Sequence, residues 1–217
     1  MKKLLIATLI ILLAIPGCKK DKEDVKQLEF TLTNMTTLIG KSQGYIKDAS
    51  PGVYDEDLSE TDFLFFNYDE IAVVGNLVIA YDFIEDKCDG IVMLGESEEL
   101  DAADYLMSLA EDEFGTGELY NLSYYDDALV LQEEDFTSYE DLWLFVDDFL
   151  LTASDIESIL AAYTYSDQII IAGGMTLEGF FWPAVTISAS SGKKSTTHQD
   201  LLDSIKRLRH SGIKKPA

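Results

Sequence analysis

The chain contains few of the side chains on which most enzyme active sites depend. Of its 217 residues two are histidines, His198 and His210, and both lie among the last twenty. The preceding part therefore has no imidazole to serve as a general base or as a zinc ligand. Carboxylates are so numerous that pairs arise by chance, so a carboxylate-only hydrolase has no defined site. No catalytic constellation is found, and we predict that the protein is not an enzyme.

Cysteine is equally scarce, with Cys18 and Cys88 as the two examples. If Cys18 belongs to a modified leader, Cys88 has no partner and the domain must fold without an intramolecular disulfide. Cys88 lies in IEDKCDGIV, at a predicted turn between two apolar runs. A packed, unreactive thiol is the favoured interpretation, and a reactive or metal-binding thiol is the alternative.

Positive charge is nearly missing from the middle of the chain. Residues 27–192 contain three lysines, no arginine and 35 acidic residues, a formal charge of −32, whereas residues 193–217 carry +5. Such a surface repels phosphate groups, so we predict no binding to nucleic acid through this region. The acidic residues either form a solubilising surface or serve to bind cations or a basic partner.

The first eighteen residues have the pattern of an export signal. Lys2 and Lys3 precede an apolar run from Leu4 to Ile15, which at about 18 Å is too short for a hydrocarbon core of about 30 Å. The following segment, Ile15-Pro16-Gly17-Cys18, resembles the lipobox of bacterial lipoproteins, in which the cysteine is acylated and becomes the mature N-terminus. The alternative is an ordinary secretory signal with an incidental cysteine.

This resemblance implies a location and a division of the chain. Lysine rather than aspartate at position 19 is similar to lipoproteins of the outer membrane, which face the periplasm or the cell surface. We expect Cys18 to anchor the protein in the membrane. The expected segments are a signal peptide over 1–17, a charged tether over 18–26, an acidic domain over 27–192 and a basic helix and tail over 193–217.

The hydrophobic pattern of the acidic domain predicts an α+β fold. Short apolar runs separated by Asn, Asp and Gly indicate strands over 63–68, 71–84, 90–95, 118–125, 128–132, 168–174 and 179–189. Because tight turns join consecutive strands, we predict a mostly antiparallel sheet with helices on one face. Residues 44–62, rich in Gly, Pro and acids, are predicted to form a loop.

Helical spacing of apolar residues predicts four helices. They are expected over 24–40, over 96–115 with Ser97 as N-cap and Gly115 at the C-terminal end, over 154–165 with Ser154 as N-cap, and over 197–210. Helix centres near 104, 158 and 204 suggest three strand–strand–helix units. Residues 138–151 fit either a strand or a helix, because the segment Thr137 to Glu140 matches a capping box.

The last predicted helix combines an apolar stripe with basic residues. Leu201, Leu202, Ile205 and Leu208 lie on one face, and Lys206, Arg207 and Arg209 occupy the final turns. A helix of this length is marginal in water by itself, so its stripe needs a cover. We predict that it docks on the acidic domain, with the anionic membrane surface as the alternative.

Two further segments are candidate binding sites. The loop YDEDLSETD carries four carboxylates that could bind a cation, Asp55, Asp57, Glu60 and Asp62, and carboxylate oxygens are the ligands that calcium prefers. No cofactor is implied apart from this Ca²⁺ hypothesis, and a solvated acidic loop is the alternative. The aromatic run from Gly179 to Pro183 is interpreted as strand core, with a ligand platform as the alternative.

The export signal, the acidic domain and the missing catalytic residues lead to one functional hypothesis. They predict a membrane-anchored binding or interaction domain of the cell envelope, with an unidentified ligand. A more specific alternative is an inhibitor or immunity-type protein whose acidic face neutralises a basic partner protein. An envelope hydrolase that uses carboxylates alone is the third hypothesis.

The lipobox predicts that Cys18 is acylated and that residues 1–17 are removed. Mass spectrometry of the N-terminal peptide checks this modification. Cys18→Ser should release the protein from the membrane fraction, because the acyl chains supply the anchor. Cys88→Ser is the matched control and should fractionate with membranes like the wild type. An unmodified Cys18, or a Cys18→Ser variant that stays with the membranes, contradicts the prediction.

Overall fold

The computed structural model describes residues 25–71, 73–177 and 179–189, apart from the side chains of Glu70 and Leu177. Nine strands make up a little under half of this part of the chain. They are β1 (Val53–Asp55), β2 (Phe63–Ile71), β3 (Gly75–Ile84), β4 (Lys87–Gly95), β5 (Leu119–Tyr125), β6 (Leu131–Phe136), β7 (Ile156–Tyr165), β8 (Gln168–Leu177) and β9 (Phe180–Ala189). All pair antiparallel in a single open sheet of order β1-β2-β3-β4-β9-β8-β7-β5-β6, with β1 and β6 at its edges. The predicted α+β class and antiparallel sheet are confirmed.

The described residues include four helices, and all of them pack on one face of the sheet. These are α1 (Leu32–Thr36), α2 (Gln43–Ala49), α3 (Leu100–Phe114) and α4 (Tyr139–Asp148). α3 lies against β7, β8 and β9, and α4 lies against β5 and β6. The buried apolar side chains of all four helices belong to one core cluster, which they share with alternate residues of the strands. Within the described residues, no helix is both long and apolar enough to cross a membrane.

The face of the sheet opposite the helices is apolar as well, and we call it the far face. Its cluster is made of the other set of alternating strand residues: Phe65, Ala80, Val92, Leu94, Leu160, Ile171, Met175, Trp182 and Ala184. This alternation explains why the central strands are continuous apolar runs in the sequence, since such runs are typical of strands that are covered on both faces.

The first predicted helix, over 24–40, is much shorter in the structure. Residues 25–31 are not helical, and the N–H of Leu28 donates to the carbonyl of Ala49 (2.8 Å). Helix α1 begins after Thr31, whose hydroxyl accepts the N–H of Asn34 (3.0 Å). This N-cap fixes the start of the helix at Leu32, eight residues later than predicted, because an extended N-cap residue cannot continue a helix upstream.

The predicted loop over 44–62 contains two regular elements. Helix α2 begins after Ser42, whose hydroxyl accepts the N–H of Tyr45, and it buries Ile46 and Ala49. β1 then adds an edge strand to β2. Both elements are short, and Gly44 and Pro51, which are typical of loops, led to the prediction of a loop. Tertiary burial of two side chains is enough to hold such a helix.

Residues 154–165, which we predicted to be a helix, form β7. The segment is buried on both sides and pairs with β5 and β8 along most of its length. Ser154 is not a helix cap but lies in the turn between Thr152 and Asp155. Apolar side chains at nearly every position satisfy a helical template and a buried strand equally well, so periodicity alone could not separate them. With this helix lost, the predicted three strand–strand–helix units are wrong.

The other helix predictions have clearer outcomes. Residues 139–148 are helical, the alternative that the capping box favoured, but the N-cap is Ser138 rather than Thr137, and its hydroxyl accepts the N–H of Asp141 (3.1 Å). The predicted helix over 96–115 is confirmed as α3, although its N-cap is Glu99 rather than Ser97. Gly115, with φ 81°, ends α3 as predicted. The predicted helix over 197–210 lies outside the described residues.

Two glycines provide a matched test of the sheet. A Cβ on Gly173 in β8 would lie 2.0 Å from the carbonyl oxygen of Ile159 in β7, and the φ of Gly173 is +150°. We expect Gly173→Ala to destabilise the protein by about 3 kcal/mol, which lowers the melting temperature by roughly 6–12 °C. Gly44→Ala in α2, where a Cβ meets nothing within 4 Å, should instead stabilise it by up to about 0.5 kcal/mol. Equal melting temperatures for the two variants would contradict the described pairing of β7 and β8.

Candidate functional site

An open cleft lies at the end of the sheet near its β6 edge. Its volume is about 660 Å³. Tyr124 and Tyr125 at the end of β5 line it, together with the β5–β6 loop over 126–129 and the segment 149–155 that follows α4. We call this feature the leucine cleft, because Leu129 of the loop and Leu150 of the later segment both line it. The loop is named the first wall and the segment 149–155 the second wall.

One aspartate builds the first wall. The carboxylate of Asp126 accepts the N–H groups of Ala128 (3.0 Å) and Val130 (2.9 Å), and its second oxygen accepts the amide of Gln132 (2.9 Å). These hydrogen bonds lower the pKa of Asp126 below its ordinary value, with the bond from Val130 as the largest cause. A short Asp-centred loop of this kind holds its backbone without any apolar packing.

A second aspartate builds the second wall in the same way. The carboxylate of Asp155 accepts the N–H of Thr152 (2.8 Å) and the hydroxyl of the same residue (2.6 Å). The carbonyl of Asp155 accepts the N–H of Tyr125 (2.7 Å), which ties this wall to the floor of the cleft. The ring of Phe149 stacks on Phe145 of α4 with centroids 4.3 Å apart. Both walls are therefore held by local hydrogen bonds and one aromatic pair.

The two leucines of the cleft have an unusual combination of backbone and exposure. Leu129 has φ 59° and Leu150 has φ 52°, a left-handed conformation that costs a leucine roughly 1–2 kcal/mol. Their side chains are 81% and 83% exposed, and Phe149 beside them is 59% exposed. Bulky residues with positive φ are outliers that the surrounding structure has to enforce. The strain here presents apolar side chains to solvent instead of burying them.

The surroundings of the cleft carry charge of one sign. Asp127, Asp147 and Asp148 are exposed at its rim or in the last turn of α4 beside it. Residues 88–192 contain no lysine, arginine or histidine, and the lysines of the described residues all lie between 26 and 87. The carboxylate of Glu157 accepts the hydroxyl of Tyr125 (3.3 Å), and its charge raises the pKa of that tyrosine. An apolar surface with an acidic rim favours a ligand that is both apolar and basic.

The predicted cation-binding residues lie elsewhere, at the β1 edge of the sheet. Asp55 ends β1, and its carboxylate accepts the N–H groups of Asp57 and Leu58 (both 3.1 Å) and the amide of Asn67 (3.0 Å). Glu60 and Asp62 are exposed before β2. Within the described residues, no group of three or more His, Cys, Asp or Glu side chains is placed to hold a metal ion. The Ca²⁺ hypothesis stays a prediction, and the carboxylate of Asp55 already serves its own loop.

The remaining sequence candidates are part of the core or outside the described residues. Cys18, the predicted lipid attachment site, lies outside the described residues. Cys88 lies in β4 rather than at a turn and is buried, and burial together with the charges of Asp82 and Asp89 raises the pKa of its thiol to about 12. Phe181 and Trp182 are buried in β9, as the interpretation of the aromatic run as strand core predicts.

A partly buried polar cluster under α3 combines a carboxylate with two phenols. Glu111 accepts the hydroxyl of Tyr120 (2.7 Å) and that of Tyr163 (3.2 Å). Burial, followed by the hydrogen bond to Glu111, raises the pKa of Tyr120 to about 12. Both phenols are therefore protonated donors at neutral pH and cannot act as bases. The cluster joins α3 to β5 and β7 and has a structural role.

Comparison with known proteins adds no relative. The chain matches no protein-family model, no curated protein and no solved structure.

The residues of the leucine cleft were not singled out by sequence reasoning. The sequence predicts a strand over 128–132 and a strand or a helix over 138–151, because both segments are rich in apolar residues. Each contains two aspartates followed within three positions by leucine, and in each the leucine follows the end of a regular element. An acidic pair directly before exposed leucines is the signal that could have indicated these turns.

The pKa of Asp126 yields a prediction about pH. A carboxyl group with a lowered pKa in the folded state stabilises the fold above its ordinary value of about 3.9, and this contribution is lost as the pH falls through the lowered pKa. We expect the amide proton shifts of Ala128 and Val130 to titrate together, with a midpoint below that ordinary value. Nuclear magnetic resonance measures this. Asp126→Asn should abolish the titration, whereas Asp127→Asn, the neighbouring control, should leave it in place; a midpoint at or above the ordinary value would contradict the described loop.

Proposed function

We propose that the protein is a lipid-anchored binding protein of the cell envelope, and that its leucine cleft binds an apolar and basic segment of a partner protein. The single observation that carries this proposal is the pair of exposed, left-handed leucines, Leu129 and Leu150, that line one cleft. Strain and exposure both reduce the stability of the free protein. An arrangement that keeps both at two positions of the same cleft is explained if a partner covers the leucines.

Burial of the two cleft leucines by a partner supplies binding free energy. Burying one leucine side chain is worth about 1.5–3 kcal/mol, so Leu129 and Leu150 together contribute enough to dominate a small interface. Phe149 stands beside them and provides an aromatic contact of the type that is common at the centre of interfaces. The walls are held by Asp126 and Asp155, so the cleft is formed before a partner arrives and little ordering entropy is lost on binding.

The charge of the domain specifies the kind of partner. A chain segment without any basic residue between 88 and 192 attracts a basic partner over a distance of about one Debye length, 8 Å at physiological salt. This attraction mainly raises the association rate and excludes acidic competitors. The inhibitor or immunity-type alternative uses the same cleft and differs only in that the basic partner is an enzyme or toxin.

The position of the cleft suits a protein that is anchored through its N-terminus. The described chain begins near the β1 edge, where the side-chain amide of Gln27 donates to the carbonyls of Ser50 (3.1 Å) and Gly52 (2.9 Å). The cleft lies toward the β6 edge, on the other side of a nine-stranded sheet. Eight gaps of about 4.8 Å separate the two edges by roughly 38 Å. With Cys18 in the membrane, the cleft can face away from the lipid surface.

The test compares cleft variants with a remote surface variant. Leu129→Asn and Leu150→Asn, combined, remove the apolar side chains while asparagine tolerates the left-handed backbone. The control is Val53→Thr, at the opposite edge and 69% exposed. Each protein is immobilised and exposed to detergent-solubilised cell envelope, and retained proteins are quantified by mass spectrometry.

We expect one basic partner to be enriched by the wild type and the control, and its affinity for the cleft variant to fall about 100-fold or more, because burial of two leucines is lost. The melting temperature should not fall, since relief of strain offsets the small loss of contact. Equal retention by the cleft variant, or enrichment of acidic proteins only, would overturn the proposal.

A further inference from the structure

The far face of the sheet is closed to solvent, although no described helix packs on it. Phe65 in β2 is 0% exposed and Trp182 in β9 is 3% exposed. All buried apolar helix residues of the described chain belong to the cluster on the other face. The buried residues of the far-face cluster all lie in strands, and Leu58 of the turn after β1 packs against it as a partly buried side chain. Neighbours on an open sheet shield the sides of an aromatic ring but leave its tip accessible. Closure of these rings therefore needs a second layer on the far face.

We infer that the C-terminal segment 193–217 is this layer, and that its leucine stripe docks across the far face. The stripe consists of Leu201, Leu202, Ile205 and Leu208. This inference names the surface and its occupant; it does not depend on the function proposed for the leucine cleft, which lies at the end of the sheet.

Chain connectivity supports this occupant. The described chain ends at Ala189, the last residue of β9, and β9 is the central strand of the sheet. Residues 190–196 number seven, so they can span up to about 23–25 Å. That is enough for the chain to leave the end of β9, reverse and reach the middle of the far face.

The length of the predicted helix matches the width of the central strands of the far face. Residues 197–210 are predicted to be helical, and fourteen residues give a helix of about 21 Å. The apolar cluster of the far face extends from β2 to β7, and the five central strands β3-β4-β9-β8-β7 cover about 19 Å. One helix of this length can therefore lie over the central strands with its stripe facing them.

Charge complementarity favours the chain's own tail over a second copy of the sheet. Two far faces would bring two acidic domains together, with 35 acids and three lysines in residues 27–192 of each. The tail instead brings Lys206, Arg207 and Arg209. Asp82 lies in β3 opposite Phe63 and near the cluster, and it is half-buried. A basic helix on this face therefore reduces repulsion that a second acidic domain would increase.

The experiment uses Trp182 as a reporter in the full chain. The sequence contains two tryptophans, Trp143 and Trp182, so Trp143→Phe leaves one reporter on the far face. In this background, Leu202→Ser with Ile205→Ser removes the centre of the stripe. The matched control replaces two residues on the opposite side of the predicted helix, Gln199→Ser with His210→Ser. Fluorescence emission and acrylamide quenching are measured at low and high protein concentration.

We expect the stripe variant to shift the emission of Trp182 to longer wavelength and to raise its quenching constant several-fold, with no change in the control. A chain truncated after Gly192 should behave like the stripe variant, and added synthetic peptide 193–217 should restore the blue-shifted, protected emission. This rescue separates loss of the cover from failure to fold.

Three results would overturn the inference. Trp182 could stay protected in both the stripe variant and the truncated chain, which would mean that the tail is not the cover. Its protection could depend on the concentration of the full chain, which would assign the far face to a second copy. Truncation could leave the fluorescence unchanged and weaken binding to anionic liposomes, which would assign the tail to the membrane surface.

Discussion

The structure depends on one constraint, which is that an antiparallel sheet with apolar side chains on both faces has to be covered on both. Tyr81 and Phe66 are buried on the helix face, and Phe65 and Trp182 are buried on the far face. The four described helices cover only the first face. The chain order follows from this need, because α3 and α4 are inserted between strands so that they can return over β5 to β9. The far face has to find its cover elsewhere, and the basic segment after β9 is suited to it by length and by charge.

The second constraint is charge, because so few cations are available to pair with the carboxylates. The described structure satisfies many carboxylates with neutral donors instead. Glu113 of α3 accepts the N–H groups of Leu32 and Thr33 at the start of α1 (3.0 and 2.6 Å), where the helix dipole favours a negative charge. Asp126 and Asp155 organise loops in the same manner. Bonds of this kind to an ionised acceptor are stronger than neutral ones, so an acidic sequence can use its own backbone as the partner.

Carboxylates that accept backbone hydrogen bonds also shape the candidate binding site. Hydrogen bonds to Asp126 and Asp155 hold the backbone on both sides of the cleft, and Leu129 and Leu150 face solvent. Backbone hydrogen bonds accompany the positive φ angles of both leucines, from Leu129 to Asp126 (2.8 Å) and from Leu150 to Asp147 (3.1 Å). The site is therefore rigid, apolar and acidic at once, and it lies on the opposite side of the sheet from the N-terminal entry of the chain near Gln27.

The sequence by itself determined the class of this fold and most of its strands. The runs that form β2, β3, β4, β8 and β9 were recognisable because β-branched and aromatic residues alternate with turn signals, and α3 because its apolar face and Gly115 are strictly local features. The charge division is likewise read directly from residue order, and the lipid anchor inferred from the lipobox resemblance stays a prediction. The prediction of a helix over 154–165 was wrong. Apolar residues such as Ile159 and Leu160 fit both a helical pattern and a buried strand, and pairing with β5 and β8 makes the segment a strand. The leucine cleft was equally beyond the sequence, since Leu129 and Leu150 are 21 positions apart and become one site only when β5, α4 and β7 pack together. Local chemistry fixes elements, whereas burial on two faces and the meeting of distant loops are properties of the assembled sheet.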